Sequence, residues 1–253
     1  MPSTTVFLEQ LKRSFAITKK DIRIYYSKGP VVVFGLIFPL FLFLAFTIGR
    51  NLSAEELLPG LIGMAVFFTA TSVGPAILPW ETRSKTLERL ACSPVSVWAI
   101  FFGDILASFI FGILISLVPL GIALIIGVEI MDLLTLSLGM ILATFCFASL
   151  SILLSVYPPT DTPATVMMLS SLIKFPLIFI SGVFTPVAQL PEWARIAASL
   201  SPLTYFTDLA RYAVNGISYY SVSVDLVVLT AFMLVFLVSS VKLHEKFLPQ
   251  RFS

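Results

Sequence analysis

Two ionisable side chains lie inside apolar stretches of this 253-residue chain, where a charge is suited to proton or ion transfer across a membrane. Asp104 stands early in one stretch and Lys174 near the middle of another. A charge at the centre of a spanning helix costs about 2.5–3.5 kcal/mol on insertion scales, so such residues are functional candidates. At 1.5 Å per residue, Lys174 would lie roughly 15 Å deep. Lys174 either takes part in transport or pairs with a neighbouring residue. For Asp104 the alternative to a transport role is a position near the cytoplasmic headgroups.

A second set of polar residues fills the short segment between the second and third apolar runs. Its charged residues are Glu81, Arg83, Lys85, Glu88 and Arg89. Leu87, Leu90 and Ala91 recur at three- and four-residue steps, which indicates one short amphipathic helix over Glu81–Leu90. A helix too polar for lipid is expected to dock on a partner outside the membrane. Leu87 should then be its main apolar contact, with the charges steering the encounter.

Residues typical of catalysis or metal binding are sparse. The one histidine, His244, follows the last apolar run and is interpreted as a solvated interface residue. The two cysteines, Cys92 and Cys146, are expected to stay reduced. The sequence contains no Gly-x-Ser-x-Gly elbow, no His/Cys cluster and no Gly-x-x-x-x-Gly-Lys-Ser/Thr phosphate loop. It therefore predicts no catalytic residue, no metal site and no cofactor bound by this chain.

The elements that must position these residues are membrane helices. Mean hydropathy is +0.99, and 12% of residues are charged, against roughly 25% in soluble domains. A spanning segment must satisfy its own backbone hydrogen bonds, so we expect an all-α integral membrane protein that forms one domain over residues 1–253. Six runs within residues 31–241 are long enough to cross about 30 Å of hydrocarbon. They are Val31–Gly49, Leu57–Pro79, Ala99–Val128, Leu133–Tyr157, Ala164–Thr185 and Val222–Val241.

The positions of Lys and Arg predict the orientation. If the amino terminus is inside and the number of spans is even, twelve of the 16 Lys and Arg residues lie on the inner side. Arg50, Arg195 and Arg211 lie outside, and Lys174 lies in a span. This bias predicts a multi-pass protein of the cell (plasma or inner) membrane. Both termini, including the tail 242–253, and the Glu81–Trp98 segment then face the cytoplasm.

The first thirty residues predict a basic amphipathic helix that lies in the cytoplasmic interface. Apolar residues recur at helical spacing, with Thr18 in the one polar slot: Leu8, Leu11, Phe15, Ile22 and Tyr25. Basic residues fall mainly between them: Lys12, Arg13, Lys19, Lys20 and Arg23. The stretch Lys28-Gly29-Pro30 is expected to end the helix. The helix acts as an anchor in the lipid bilayer or also contacts a partner.

Residues 186–221 are expected on the outer side as two short helices. The first starts at Pro191, and the second starts after Ser201 as a cap. Aromatic residues along both favour a re-entrant or interfacial hairpin with rings at headgroup level: Trp193, Tyr205, Phe206 and Tyr212. The alternative is an ordinary extracellular loop.

Two motifs make this sequence resemble the permease subunits of type-2 ATP-binding-cassette (ABC-2) exporters. The first, E-x-x-x-x-T-L-E-x-L-x-x-x-P, is matched by Glu81, Thr86, Leu87, Glu88, Leu90 and Pro94. The second, S-G-x-x-x-P…L-P-x-W…P-x-T/x-Y…R, is matched by Gly182, Pro186, Pro191, Trp193, Pro202, Tyr205 and Arg211. Ser201 stands where the family usually has Asn. The likeness in the number, order and spacing of the runs extends over nearly the whole chain.

The resemblance implies that this chain forms a translocation path and that a separate cytoplasmic ATPase binds ATP and Mg. Members of the family pair two ATPase subunits with two permeases, which implies a second permease beside this chain, in a homodimer or as a sibling subunit. No nucleic acid partner is expected. The family's coupling helix would map onto Glu81–Leu90, including Arg83. The implied cargo is an amphipathic, lipid-like, drug-like or glycan molecule. The alternative function is an ion-coupled secondary transporter or channel that uses Asp104 and Lys174.

Overall fold

The structure, a computed structural model, describes residues 4–26, 33–49, 53–158 and 160–251. Over those residues it consists of helices, turns and short connections, without a strand. The α-helices in chain order are α1 Thr4–Asp21, α2 Phe38–Thr47, α3 Ala54–Ala70, α4 Gly74–Arg83, α5 Thr86–Ala91, α6 Val97–Ile126, α7 Leu133–Leu153, α8 Pro163–Ile180, α9 Glu192–Ala198, α10 Pro202–Asn215 and α11 Val222–Phe247. The all-α prediction is confirmed for this part of the chain.

Five helical stretches are long and apolar enough to span a membrane. They are Ala54–Arg83, Val97–Ile126, Leu133–Leu153, Pro163–Ile180 and Val222–Phe247. These stretches match five of the six predicted spans with shifted ends. The predicted first span, Val31–Gly49, is not among them, because its described helical part covers only residues 33–47. Residues 28–32 and Arg50 lie outside the described residues, so the first span, and with it a total of six, stays a prediction.

The second predicted span is broken near its middle. Helix α3 ends at Ala70, residues 71–73 form a turn, and α4 begins at Gly74. Pro75 causes the break, because it has no N–H to donate to the carbonyl four residues earlier. Gly74 lies against α7 so closely that a Cβ there would stand 2.2 Å from the Ser151 hydroxyl. The broken span is therefore seated on α7 at the break itself.

Helices α3 and α4 together occupy the centre of the bundle. In their most apolar window 89% of residues are buried, against 11% in α11. Phe67 of α3 meets Phe147 of α7 edge to face, with ring centroids 5.0 Å apart. Gly63 permits close approach of α10, because a Cβ there would stand 2.6 Å from Thr207. A movement of this span would consequently act on the middle of the protein.

Cysteine labelling is expected to test the predicted orientation. Ser84 and Gln189 are both exposed, and they fall on opposite sides in the twelve-to-three arrangement. In a Cys92→Ser background, since Cys92 is exposed, an impermeant maleimide should label Gln189→Cys in intact cells. Ser84→Cys should react only after the membrane is opened. Reaction of Ser84→Cys in intact cells would contradict the predicted orientation and indicate the opposite one.

Candidate functional site

The segment predicted as one amphipathic helix over residues 81–90 is two helices in the structure. Glu81 belongs to the last turn of α4, and α5 starts at Thr86. Between them Lys85 has a φ of 55°, a left-handed conformation that a right-handed helix does not contain. The Ser84 hydroxyl donates to the Trp80 carbonyl at 2.7 Å and so satisfies the end of α4. The single-helix prediction is therefore wrong.

Leu87 faces the inside of the protein. Its side chain is 1% exposed and belongs to an apolar cluster with Leu78, Phe101 and Ile152, from α4, α6 and α7. The sequence pattern predicted the reverse, an exposed apolar contact for a partner. Leu87 instead fastens α5 to the bundle, because the turn at residues 84–85 rotates α5 relative to α4.

α5 and its flanking turns leave a surface exposed, here called the α5 surface, and half of its exposed residues are charged. Its exposed members are Arg83, Ser84, Lys85, Glu88, Arg89, Ala91, Cys92 and Pro94. Thr86 and Leu90 are half-buried. Of the residues predicted to form the coupling segment, the structure thus turns Arg83, Glu88 and Pro94 outward.

A buried charge cluster lies behind the α5 surface, where α1, α4 and α6 meet. It consists of Lys20, Asp21, Glu81 and Asp104. Lys20 Nζ donates to the Glu81 carboxylate and lies 3.0 Å from Asp21 Oδ1. Asp21, Glu81 and Asp104 are at most 1% exposed. One cation therefore faces three carboxyl groups inside the protein.

The electrostatics of the cluster follow from burial and mutual proximity. Burial raises the pKa of Asp21 above that of a free aspartate, although Lys20 opposes the shift. Burial by itself lowers the pKa of Lys20, but the three carboxyl groups outweigh it and the net direction is upward. Lys20 accordingly stays charged at any physiological pH.

Helix α1 runs lengthwise beside the first half of α6 instead of lying away from it. Gln10 Oε1 accepts the Ser96 N–H at 2.9 Å, and further along Thr18 Oγ1 donates to the Gly103 carbonyl at 2.9 Å. Gly103 makes this approach possible, because a Cβ there would stand 2.8 Å from the Ser14 carbonyl oxygen. The sequence predicted an interfacial helix here but did not predict that α1 packs against α6.

The face that α1 buries is its small and polar side. Ser14, Ile17 and Thr18 are buried, while Leu8 and Phe15 are each more than half exposed. The predicted apolar face therefore points outward in part, together with the exposed basic residues Lys12, Lys19 and Arg23. An outward face of this composition suits a lipid surface with anionic headgroups. Sequence reasoning missed Asp21 and the role of Lys20, because their partners lie on other helices.

The two predicted helices of the outer segment are α9 and α10, but α10 is buried. All residues from 202 to 210 are buried against the neighbouring helices. Ser201 occupies the cap position, although its hydroxyl accepts no N–H of the helix and donates instead to the Leu177 carbonyl. The buried position of α10 disagrees with the alternative of an ordinary extracellular loop.

The motif residues of this outer segment hold its turns. Arg211 Nη2 donates to the Gly182 carbonyl at 2.6 Å, and Gly182 has a φ of 73° that favours glycine. Pro186 and Pro191 directly precede a short 3-10 helix and α9. Pro202 starts α10, Tyr205 donates to the Ser199 carbonyl, and Trp193 is 73% exposed. These contacts describe an anchored turn region.

The remaining ionisable candidates lie apart from one another. Lys174 is 6% exposed and donates to the Thr71 carbonyl at 2.8 Å, outside the cluster that contains Asp104. His244 is 2% exposed, with a ring nitrogen 3.0 Å from the Ser155 hydroxyl, so its prediction as a solvated residue is wrong. Within the described residues no group of His, Cys, Asp and Glu side chains could hold a metal ion.

These features define a multi-pass helical membrane protein with a broken central span that continues into a charged surface helix. The family of ABC-2 type transporters matches residues 12–215, and the chain belongs to that family. Two curated relatives, from Escherichia coli K12 and Escherichia coli O157:H7, carry the name "Probable multidrug ABC transporter permease YbhR". Each is 24% identical to this chain over an alignment of 167 residues, with 60% of this chain and 42% of the relative covered. The match thus spans about two-fifths of their length.

Proposed function

We propose that this chain is the permease subunit of an ATP-driven exporter. Two copies form the translocation path, and a separate pair of cytoplasmic ATPase subunits binds ATP and Mg. The family match supports the class, since ABC-2 proteins are membrane translocation subunits. The observation that carries the proposal is the continuity of the most buried span with the exposed α5 surface. A displacement of α5 is transmitted to the centre of the bundle, because α5, α4 and α3 are consecutive parts of one chain.

The ATPase docks, on this proposal, through the charges of the α5 surface. Glu88 and Arg89 are exposed on α5, and Arg83 and Lys85 flank it. Exposed charges chiefly steer and orient an encounter. Leu87 supports them from behind, because its burial fixes α5 to the bundle. The charge cluster adds a second attachment, since Lys20 ties α1 to the end of α4.

The cargo is, on this proposal, an amphipathic, lipid-like or drug-like molecule or a glycan. The relatives that carry the word multidrug in their name support the drug-like class for this chain. The protein sits in the plasma or inner membrane with both termini in the cytoplasm, as the distribution of Lys and Arg indicates.

Charge reversal on the α5 surface is expected to uncouple export from ATP hydrolysis. Glu88→Arg combined with Arg89→Glu should reduce ATP-dependent export by on the order of tenfold, because misplaced like charges at an interface cost a few kcal/mol. The measurement is cargo uptake into inside-out vesicles that contain the permease and its ATPase. Glu192→Arg is the matched control, since Glu192 is exposed on α9, far along the chain from α5.

The same vesicles distinguish the proposal from a channel or an ion-coupled transporter. Full export by the doubly reversed variant would remove the docking role from α5. Cargo movement without any ATPase, abolished by Asp104→Asn, would favour the rival function. Asp104 and Lys174 occupy separate sites in the structure, which gives no support to a shared ion path.

A further inference from the structure

Lys174 lies in the middle of α8 and reaches across to the break in the central span. Its side chain is 6% exposed, and Nζ donates to the Thr71 carbonyl at 2.8 Å. The two residues are 103 positions apart in the sequence. Thr71 is the first residue after α3, and Gly74 is the first residue of α4. The ammonium group thus lies at the junction of the two half-helices.

Pro75 explains why the Thr71 carbonyl needs a donor from elsewhere. In a continuous helix a carbonyl accepts the N–H of the residue four positions later, which for Thr71 is residue 75. Proline has no N–H, so the carbonyl would be unsatisfied inside the bundle. Lys174 supplies the hydrogen bond that Pro75 removes. A positive group is also favoured at this place, because the carboxyl end of α3 carries partial negative charge.

The two hydroxyl groups of the break, on Thr71 and Ser72, bond within the span itself. Thr71 Oγ1 donates to the Phe67 carbonyl at 2.7 Å, and Ser72 Oγ donates to the Thr69 carbonyl at 2.9 Å. The bond from Lys174 is different in kind, because it joins the break to another helix. Helix α8 continues through Pro176 two residues later, and this proline removes one backbone donor near the same level.

We propose that Lys174 is a positioning residue that fastens α8 to the break in the central span, so that a displacement of α4 and α5 is passed on to α8. The inference rests on the proposed coupling role of the α5 surface and names the internal link. Helix α4 packs against α8, and α5 follows α4 after a two-residue turn. The break lets α4 tilt relative to α3, and the bond from Lys174 makes α8 follow that tilt.

Substitution of Pro75 distinguishes two roles of Lys174. One is to link α8 to the break, and the other is only to donate a hydrogen bond to the Thr71 carbonyl. Lys174→Met removes the donor while it keeps a long unbranched side chain. Pro75→Ala returns an N–H at residue 75, which can bond the Thr71 carbonyl from within the span. The double variant should therefore recover the thermal midpoint that Lys174→Met loses. Its cargo export per ATP hydrolysed should stay about two- to thirtyfold below wild type, because the link to α8 is still missing.

A distance measurement tests the link without any ATPase. Spin labels at Ser84 and Thr162, both exposed, report on the end of α4 and the start of α8. The label pair is placed in a Cys92→Ser background. The distribution of distances should be narrow in the parent, broad in Lys174→Met and still broad in the double variant. Lys174→Arg keeps a donor and should stay close to the parent.

The outcomes that overturn the inference are distinct from those that overturn the proposed function. An unchanged distance distribution in Lys174→Met would show that α8 is not held by this bond. A double variant that regains full export would reduce Lys174 to a donor for one carbonyl. If the wild-type protein shows no ATP-dependent export, the proposed function fails, while the distance measurement still decides whether Lys174 joins the two helices.

Discussion

Replacing Lys20 by methionine is expected to lower the stability of the protein by about 3–5 kcal/mol, the range found when one partner of a buried ion pair is removed. Lys20 is the cation of the buried charge cluster, and it contacts both Asp21 and Glu81. Its loss leaves three carboxyl groups, each at most 1% exposed, without their counter-charge. The measurement is the thermal midpoint of the purified protein in detergent, followed together with its yield in membranes.

The stability that Lys20→Met loses relative to wild type should become smaller as the pH is lowered. Burial places the pKa of Asp21 in the folded protein above its unfolded value. A group of this kind contributes stability below its unfolded pKa and loses that contribution as the pH rises through the folded pKa. Without Lys20 this pKa rises further, so the midpoint of the variant should be closer to wild type at acidic than at alkaline pH.

Lys19→Met is the control for the Lys20 prediction. Lys19 is the neighbouring residue on α1 and is exposed, so its loss should change stability by no more than about 0.5 kcal/mol. Equal midpoints for Lys19→Met and Lys20→Met over the whole pH range would contradict the charge cluster. The contact between α1 and α4 would then have to rest on apolar packing.

Truncation of Leu87 to alanine is expected to destabilise the protein by about 2–5 kcal/mol, as for other leucines in well-packed interiors. The side chain fills a site between Leu78, Phe101 and Ile152, so its removal leaves a cavity. The effect should be visible in the permease alone, as a lower thermal midpoint. This differs from the sequence interpretation, in which Leu87 contacts the ATPase and its loss affects only docking.

Leu90→Ala distinguishes the two interpretations of Leu87. Leu90 lies on the same short helix but is only half-buried, so its truncation should cost less than half as much. A Leu87→Ala variant with a wild-type midpoint and weakened ATPase binding would place Leu87 on the docking surface after all. Lower stability together with retained affinity in the folded fraction would assign it to the interior.

Hydropathy and motif spacing, which are local properties of the chain, were sufficient for the class of protein. Five of the six apolar runs form candidate spans, because a run of about 20 apolar residues has few alternatives to a membrane helix. The predicted helix starts at Pro191 and Pro202 are confirmed to within one residue, since proline acts on its own neighbourhood. Family membership over residues 12–215 agrees with the two motifs.

The broken span shows where local reasoning reached its limit. Pro75 removes a backbone donor that can be read from the sequence, but the donor that satisfies the Thr71 carbonyl comes from Lys174, 103 residues away. In the same way, the sequence pattern placed Lys20 among the basic residues of an interfacial helix. Its partner Glu81 lies 61 residues further along the chain. Spacing along one helix carries no information about which charge on another helix it meets.

The sequence by itself therefore determined that this is a helical membrane protein of the ABC-2 type, with a polar segment between two spans and charged residues within its apolar runs. Only the tertiary structure decided which way those residues point. The turn at Lys85 rotates Leu87 inward and leaves Glu88 and Arg89 outside. The packing of α1 on α6 gathers Lys20 and Asp21 with Asp104. The physical reason is that buried charges and backbone groups are satisfied by whichever partners packing brings near, and packing is a property of the whole bundle.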